Sequence, residues 1–449
     1  MNANIPKTSL PRIVIVGGGF AGLKLAQSLD QQLFQVVLVD KNNYHQFPPL
    51  IYQVASSGLE PSSIVFPFRS VFHKRRNFHF RLAQLERVDT QARQIMTTIG
   101  AIDYDYLVLS CGATTNFFGN EEIARHAMPM KSLYESINLR NALLQKLERA
   151  VYVSEEECDE LLNIVVVGAG PTGVEISGAL AEMKRYVVPK DYPDLNTESM
   201  RITLLDASTR VLSAMSEHSS EVAINGLKEL GVEVRTGAMV SSYDGRRLTL
   251  QNGEVIRSRC VIWVSGVIAN LVEGLPAECM GRGRRIQVDE HNHVVGQEGI
   301  YALGDQCIMT TDPAYPNGHP QMAQVALQQA TLLAANLKRI MQGRQPQPFA
   351  YRDLGSMATI GRNCAVAEIR GMKWGGFTAW VLWLVVHLRS ILSVRNKVIV
   401  LLNWIWNYFT YDRSLRIILK RNASQEPSVR QENGTQQEAS MTPKPSGNT

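Results

Sequence analysis

Residues 12–40 read RIVIVGGGFAGLKLAQSLDQQLFQVVLVD, and this stretch decides the fold of the N-terminal part of the chain. Four apolar residues at 13–16 lead into a glycine-rich turn, a helix-like segment follows at 23–29, and a second apolar run at 36–39 ends on Asp40. Short apolar runs on either side of a helix are typical of two parallel, buried strands. The stretch therefore predicts a strand, a tight turn, a helix and a second strand closed by a carboxylate.

The glycines of the turn have the spacing of a dinucleotide-binding unit. Gly17 permits the tight turn, Gly19 has no Cβ to hold a phosphate away from the backbone, and Gly22 lets the helix lie close to the strand. The N–H groups at the start of the helix attract phosphate, and Asp40 is placed to accept hydrogen bonds from ribose hydroxyls. The residues of the turn that we expect to contact the nucleotide are Gly17, Gly19, Phe20, Ala21 and Gly22.

The same pattern occurs a second time in the middle of the chain. Gly168, Gly170 and Gly173 follow one apolar run, and Asp206 ends the next. An insertion at 184–200 lengthens the connection between them. Two patterns of this quality predict two bound nucleotides.

Three further strand ends carry small residues or a carboxylate. Ala113, Gly266 and the pair Gly304-Asp305 each follow a short apolar run. Small residues at such positions let the backbone approach a cofactor, and a carboxylate at the carboxyl end of a strand points to the ligand crevice of a parallel sheet. For Asp305, the cap of a helix is the alternative role.

A helix in the C-terminal half carries two amides on one face. Pro320 is placed to open this helix, which we predict over 321–341. Gln324 and Gln328 are four residues apart, so they share a helix face beside small residues such as Ala323. This face either lines a polar opening in a pocket or is solvated.

Composition excludes several classes of protein. The 449 residues suffice for two or three domains, and the six scattered cysteines include no CxxC pair, so neither a disulfide framework nor a metal site is indicated. Residues 1–9 are polar and run straight into the first strand, so we expect no signal or transit peptide and a cytosolic chain. The net charge is +5, but residues 371–421 alone hold eight Lys or Arg and one acid. These basic residues flank apolar runs, so we expect no nucleic-acid binding.

The C-terminal region differs in composition from the rest. Residues 374–411 contain five of the six tryptophans, and the uncharged runs at 377–388 and 398–411 are shorter than the roughly 20 residues of a membrane span. Short apolar helices with tryptophans and basic flanks are typical of helices in the headgroup plane of an anionic membrane. A buried helical hairpin or a dimer interface is the alternative. The polar tail at 422–449 is predicted to be disordered.

These stretches together resemble the type II NADH:quinone oxidoreductases, which are single-subunit, non-pumping NADH dehydrogenases of the pyridine nucleotide-disulfide oxidoreductase superfamily. The resemblance covers roughly residues 10–420, and the stretches that carry it are VIVGGGFAGL, FPPLIYQVAS, VVVGAGPTGVEISGALAEM, IYALGD, AQVALQQ and LNWIWNYFTYDR. It implies a membrane-associated flavoenzyme that transfers a hydride from NADH to non-covalent FAD and then two electrons to a membrane quinone, without proton pumping.

The resemblance assigns a nucleotide to each glycine turn. The first turn and Asp40 would hold the ADP half of FAD, with Asp305 on the ribityl-phosphate side, and the second turn would hold NADH. A carboxylate at Asp206 hydrogen-bonds a free ribose 2′-hydroxyl and repels a 2′-phosphate, which favours NADH over NADPH. Arg210, four residues further along, is a cation that weakens this preference.

The resemblance also implies catalytic and quinone-binding residues. Glu175 would lie near flavin and nicotinamide, where it orients the nicotinamide or relays protons. The stretch from Ala323 would approach the flavin ring, with Gln324 and Gln328 binding quinone carbonyls. Lys373 would stand near the mouth of the quinone tunnel.

The expected architecture is an α/β fold with two Rossmann-like dinucleotide-binding domains and a C-terminal, membrane-anchoring region of amphipathic helices. The expected boundaries are 10–125 and 271–345 for the FAD-binding domain, 126–270 for the NADH-binding domain, 346–421 for the membrane-associating region and 422–449 for the tail. The expected location is the cytoplasmic face of the cell membrane, as a peripheral protein, and a homodimer is compatible with the apolar C-terminal end.

Three rival functions are open to the sequence. Soluble disulfide reductases share both glycine patterns but need a redox-active cysteine pair, which is not evident. A sulfide:quinone oxidoreductase shares the fold and the membrane end, and Cys158 and Cys364 could meet in space, but such an enzyme needs no complete NADH pattern. A membrane-bound, NADH-sensing flavoprotein with little turnover is the third rival.

Overall fold

The computed structural model describes residues 3–411 and 415–419, and the tail that we predict to be disordered lies outside these residues. The α-helices, in chain order, are α1 (Phe20–Ser28), α2 (Ile51–Ala55), α3 (Phe68–Val71), α4 (Glu121–His126), α5 (Leu133–Ala150), α6 (Glu155–Leu162), α7 (Pro171–Tyr186), α8 (Val188–Asp191), α9 (Glu217–Glu229), α10 (Ala323–Met341), α11 (Gly376–Ser390) and α12 (Val394–Thr410).

The β-strands, in chain order, are β1 (Arg12–Val16), β2 (Gln35–Asp40), β3 (Tyr44–Gln46), β4 (Val65–Pro67), β5 (Phe78–Leu82), β6 (Leu85–Asp89), β7 (Gln94–Thr97), β8 (Gly100–Asp103), β9 (Tyr106–Leu109), β10 (Ala113–Thr115), β11 (Met128–Pro129), β12 (Asn163–Val167), β13 (Arg201–Leu205), β14 (Glu233–Arg235), β15 (Val240–Tyr243), β16 (Arg247–Leu250), β17 (Val255–Arg257), β18 (Cys260–Trp263), β19 (Val267–Ala269), β20 (Ile286–Val288), β21 (Ile300–Ala302), β22 (Cys307–Met309), β23 (Ser356–Gly361), β24 (Cys364–Ile369) and β25 (Met372–Gly375).

The first sheet is parallel throughout, with the strand order β5-β2-β1-β9-β21. Residues 13–16 of the central strand β1 are buried, because α1 and α10 cover one face of the sheet and further apolar side chains cover the other. The strand order reverses on either side of β1. In an open parallel sheet, ligands bind outside the carboxyl ends of the strands at such a reversal.

The second sheet repeats this layout, with the parallel order β11-β18-β12-β13-β14. Every residue of its central strand β12 is buried. The chain leaves the first sheet along β10 and returns along β19, and these two strands pair antiparallel. The second unit is therefore inserted within the first, and the paired crossing strands hold the two crevices near each other.

The C-terminal region consists of a three-stranded antiparallel sheet, β23-β24-β25, followed by α11 and α12. Trp383 of α11 and Val400 of α12 are buried against the rest of the protein. Within the two described ranges, no helix has the length and hydropathy that would suit a membrane span.

Three local features of the structure were not predicted from the sequence. The segment 42–69 contains α2, the β3–β4 pair and the start of α3. α10 starts at Ala323 rather than 321, because the Gln321 side chain donates a hydrogen bond to the Asp305 carbonyl and Met322 is still extended. The sheet β23–β25 was not predicted.

Candidate active site

The two glycine turns have the same geometry. Gly17 and Gly168 adopt φ angles of 98° and 109°, a region that favours glycine. A Cβ on Gly22 would lie 1.9 Å from the carbonyl oxygen of Gly17, and one on Gly173 would lie 1.8 Å from that of Gly168. Each helix can therefore begin directly on its turn only because these positions are glycine.

The space in front of each helix is open. A Cβ on Gly19 or Gly170 would meet no atom of the described residues within 4 Å. These two residues are the N-caps of α1 and α7, and neither helix has an acidic residue in its first turn. The free N–H groups at both helix starts therefore face a space that an anionic group such as a pyrophosphate can enter.

The first turn is fixed from both sides at Gly18. The Gly18 N–H donates to Asp40 Oδ2 at 2.6 Å, and His45 Nδ1 lies 2.9 Å from the Gly18 carbonyl oxygen. Burial raises the pKa of Asp40, against the opposing effect of the Gly18 and Asn42 amides, and burial lowers the pKa of His45 to about 4. A neutral His45 donates its Nδ1 proton to the carbonyl. Both side chains thus shape the turn, a role that the sequence did not indicate.

Asp206 accepts a backbone N–H of the second glycine turn, as Asp40 does in the first turn. Its Oδ2 accepts the N–H of Ala169, and its Oδ1 accepts both the N–H and the hydroxyl of Ser208. An ionised carboxylate has about four acceptor positions, so room remains for a ribose hydroxyl. Arg210 points elsewhere, because its guanidinium donates to Ser220 Oγ and to the Ser213 carbonyl.

Gly304 joins the first turn to α10. A Cβ on Gly304 would lie 3.1 Å from the Cβ of Ala326 and 3.6 Å from that of Ala21. The Gly304 N–H donates to Oε1 of the buried Gln329 at 2.7 Å. The start of α10 at Ala323 therefore lies close to the start of α1. Gln329 was missed by sequence reasoning, although it is the second glutamine of the pair that ends the AQVALQQ stretch.

The remaining predicted cofactor residues lie around the same crevices. Asp305 follows Gly304, and its Oδ2 is 3.6 Å from Nζ of Lys131, a residue that sequence reasoning did not single out. Ala113 opens β10 and pairs with Ala269 of β19. Gly266 lies between β18 and β19, close to the second glycine turn.

Glu175 is buried in the first half of α7. Its carboxylate is close to the Thr359 N–H, at 3.5 Å. α7 and β23 can approach this closely because a Cβ on Gly178 would lie 1.7 Å from the Ile360 carbonyl oxygen. Burial raises the pKa of Glu175 to about 8, and the Thr359 amide and the Trp383 indole only partly oppose this effect. Glu175 is therefore mostly protonated at neutral pH.

Glu175 lies on the wall of a cavity of about 380 Å³ between α2, α7 and the two C-terminal helices. Trp383 is 1% exposed, and its indole N–H lies beside the Glu175 carboxyl group, whose charged form it favours. Its ring stacks on His387 at a centroid distance of 4.0 Å, and burial lowers the pKa of His387 to about 4, so this histidine is neutral. The other lining residues include Tyr52, Gln53, Ser56, Trp380, Leu384, Leu388, Leu401, Trp404 and Tyr408.

The two glutamines predicted to bind quinone carbonyls are engaged with the backbone. Gln324 accepts the Leu354 N–H and donates to the Gly355 carbonyl, and both atoms of the Gln328 amide bond the backbone of Arg352. Neither is among the residues that line the cavity. Direct binding of a quinone carbonyl by these amides stays a prediction, and for Gln324 it would compete with the bonds to residues 354 and 355.

Lys373 also lies away from the cavity lining. It is in β25, opposite Glu368 of β24. The Glu368 carboxylate accepts hydrogen bonds from the Ser216 N–H and the Ser219 hydroxyl at the start of α9. Lys373 thus belongs to the contact between the C-terminal sheet and the second nucleotide-binding unit.

Polar side chains dock α12 onto the segment 53–65. Trp404 Nε1 donates to Gln53 Oε1 at 2.8 Å, Asn407 Nδ2 donates to the Gly58 carbonyl, and Asn396 Nδ2 reaches the Ser63 carbonyl at 3.0 Å. These bonds have a defined direction, so they fix which face of the helix turns inward. From the sequence we expect Trp404 at the membrane interface, and the sequence indicates no role for Asn396 or Asn407.

Arg362, in the turn between β23 and β24, holds the end of α12. Its guanidinium donates to the carbonyls of Asn407 and Tyr408 at 2.9 and 3.0 Å and lies 3.8 Å from the centre of the Tyr411 ring. A cation here also interacts favourably with the negative end of the helix dipole. Arg362 and the end of α12 form one side of the cavity.

Comparisons with known proteins agree with this architecture. The family model described as pyridine nucleotide-disulphide oxidoreductase matches residues 11–330, and the model described as NDH2 C-terminal domain matches residues 354–411. A structure of NDH2 from Plasmodium falciparum in complex with NADH superposes with a TM-score of 0.83 at 20% identity, covering 91% of this chain and all of that one. The sulfide:quinone oxidoreductase from Aquifex aeolicus gives a TM-score of 0.69 at 17% identity, covering 89% of this chain and 95% of that one.

The fold and the two glycine turns define a two-dinucleotide oxidoreductase of the pyridine nucleotide-disulphide class. The type II NADH:quinone oxidoreductase Ndh of Mycobacterium tuberculosis is 33% identical over 92% of this chain and 91% of its own length. The chain belongs to the type II NADH:quinone oxidoreductase family. All six cysteines are free, with Cys158 in α6 and Cys364 facing Gly226 of α9, so no redox-active disulfide is formed in this structure.

Proposed function

We propose that the protein is a membrane-associated NADH:quinone oxidoreductase that uses FAD. The observation that carries this function is a combination of two features. The N-termini of α1 and α7 are open to phosphate groups, and a separate, largely apolar cavity has Glu175 in its wall. FAD, when bound, accepts a hydride from NADH and delivers two electrons to a quinone, which gives NAD⁺ and quinol. The protein supplies binding, orientation and protons.

The first unit fits FAD. The open space at Gly19, the uncapped start of α1 and the Asp40 carboxylate suit the ADP half of a dinucleotide. Asp305 and the start of α10 lie next to this crevice, because Gly304 contacts both helices. The start of α10 carries a partial positive charge, which favours an anionic ring nearby. The residues that would hold FAD are Gly17, Gly19, Phe20, Ala21, Gly22, Asp40, Ala113, Gly304, Asp305 and Ala323.

The second unit would hold NADH in preference to NADPH. We assign this role to Gly168, Gly170, Gly173, Asp206 and Gly266. The Asp206 carboxylate favours a ribose 2′-hydroxyl and repels a 2′-phosphate. Arg210, the cation that could reverse this preference, is already bonded to Ser220 and Ser213.

The quinone headgroup would enter the cavity beside Glu175 and Trp383. A protonated Glu175 donates a hydrogen bond or a proton to a quinone oxygen, and the Trp383 N–H beside it is a second donor. Gln324 and Gln328 then act as positioning residues, since their amides hold the segment 352–355 against α10. Lys373 has no direct role in this scheme.

The exposed apolar face of α11 and α12 would lie on the membrane surface, as in a peripheral protein at its cytoplasmic face. Its exposed side chains are Phe377, Val381, Val385, Val394, Val398, Leu401, Leu402, Ile405, Trp406 and Phe409. On α12 they recur at helical spacing, so they form one stripe opposite the docked polar face. Arg389, Arg395 and Lys397 flank this face and favour an anionic surface.

A vesicle assay tests the membrane contact. The purified protein should sediment with vesicles that contain anionic lipid, and Phe409→Glu should weaken this binding, while the control Val255→Glu, at an exposed apolar residue of β17, should not. If Phe409→Glu instead splits a dimer and leaves vesicle binding unchanged, the face is a homodimer interface and the membrane assignment is wrong.

Steady-state turnover tests the reaction itself. NADH with a soluble quinone should give sustained turnover, and sulfide in place of NADH should give none. Turnover driven by sulfide alone would favour the sulfide:quinone alternative, and NADH binding without turnover would favour the NADH-sensing alternative.

A further inference from the structure

A single aromatic residue beside the second glycine turn is both strained and exposed. Phe118 has a φ of 53° and is 66% exposed. Non-glycine residues rarely adopt positive φ, and residues that do are concentrated at functional sites. Its large apolar ring also gains no burial on folding. Backbone strain and exposure therefore coincide at one position.

The neighbouring bonds hold Phe118 in this conformation. The Phe118 N–H donates to Asn116 Oδ1 at 2.8 Å, and the Asn116 backbone is held by Trp263 Nε1 at its carbonyl and by Gly266 at its N–H. The preceding residue, Phe117, packs on Trp263 with ring centroids 6.0 Å apart. Phe117 therefore anchors the loop in the core, and the loop presents Phe118 outward.

The ring lies at the edge of the second nucleotide crevice. A Cβ on Gly266 would lie 3.1 Å from the Cζ of Phe118, so the tip of the ring rests on Gly266. The loop that contains Gly266 follows β18, and it touches the first residue of the glycine turn after β12, because a Cβ on Gly168 would lie 2.7 Å from Ser265. β12 and β18 are neighbours in the parallel sheet. Phe118 therefore borders the end of the sheet where a dinucleotide binds.

We propose that Phe118 is a binding residue for the nicotinamide nucleotide. Its ring packs against bound NADH and becomes covered by it, so that substrate binding removes the exposure that the free protein bears. An aromatic ring suits this task, because both nucleotide bases and nicotinamide present flat π-faces. The inference rests on the proposed function, since the second glycine turn must hold NADH.

The variant Phe118→Gly separates a binding role from a structural one. Glycine relieves the positive φ, so the melting temperature should stay the same or rise, while loss of the ring should raise the Kd and the KM for NADH about tenfold. Phe118→Tyr keeps the ring and should restore both constants. Tyr152→Ala, which removes an aromatic ring that is 77% exposed elsewhere, is the matched control and should change neither.

The readouts are the NADH Kd from anaerobic stopped-flow reduction of bound flavin, the KM values for NADH and quinone, and the melting temperature. The KM for quinone and the flavin content should match those of the unaltered protein. An NADH Kd within about twofold of the unaltered value in Phe118→Gly overturns the inference and leaves the proposed function intact. A parallel fall in melting temperature and NADH affinity also overturns it, and should that variant not fold, Phe118→Leu makes the same comparison. Absence of NADH turnover in the unaltered protein refutes the proposed function instead.

Discussion

Replacing Glu175 by Gln should change how the stability of the protein depends on pH. The native pKa of about 8 lies far above the ordinary value of 4.5, because burial disfavours the charged form. Between these two values the unfolded state loses its proton and the native state keeps it, so stability falls as pH rises. The slope is about 1.4 kcal/mol per pH unit, and above the native pKa the penalty becomes constant.

A glutamine side chain cannot ionise, so the variant should lack this penalty. The gain in stability of Glu175→Gln over the unaltered protein should grow by about 4 kcal/mol from about pH 5 to about pH 8. Guanidinium denaturation of the flavin-loaded protein at several pH values measures the gain. Glu122→Gln, at an exposed glutamate of α4, is the control and should not reproduce this gain of about 4 kcal/mol.

Catalysis by the same variant gives a second, independent readout. Removing a proton donor from the quinone side should slow quinone turnover about 100-fold, with FAD still bound. In the unaltered protein, turnover should decline as pH rises past about 8, and the variant should show no such inflection. Stability differences that do not change with pH, together with unaltered quinone kinetics, would refute both the burial argument and the assigned role.

Three further substitutions probe other parts of the site. Gly22→Ala should give a colourless protein without FAD, because the new Cβ would lie 1.9 Å from the Gly17 carbonyl oxygen. The ratio of flavin to protein absorbance measures the flavin content, and a full flavin content would contradict this prediction. Arg362→Ala removes two charge-assisted hydrogen bonds and a cation–π contact, so docking of α12 should weaken by about 3 kcal/mol. Hydrogen exchange of α12 should quicken accordingly, and less so in Arg362→Lys. Gln324→Ala frees two backbone groups of residues 354 and 355 and should raise the quinone KM at unchanged flavin content, and a normal KM would remove its positioning role.

The glycine turns were predictable because their function depends on the backbone. Gly17, Gly22, Gly168 and Gly173 occupy positions where a Cβ would strike neighbouring backbone, so only one residue type fits, and the pattern is visible in the sequence alone. The apolar strands before each turn were equally visible, since a parallel strand buried on both faces leaves a continuous apolar run.

The polar contacts of the C-terminal helices were not predictable in this way. The residues that make these contacts, Arg362, Gln53 and the asparagines of α12, are far apart in the chain. Each bonds a backbone carbonyl or a polar side chain, and such a contact does not change the local pattern of apolar and polar residues. Gln324 and Gln328 illustrate the converse case. Their spacing correctly placed them on one helix face, but that face is turned to the segment 352–355, a neighbour that the helix pattern does not reveal.

An anaerobic titration of the purified protein tests the central claim most directly. The claim is that one flavin serves an NADH site at the second glycine turn and a quinone site at the Glu175 cavity. The protein should be yellow, about one equivalent of NADH should bleach the flavin absorbance, and about one equivalent of a soluble quinone should then restore it, since each step moves two electrons. A protein without flavin, or a flavin that NADH bleaches and quinone does not restore, would contradict the account.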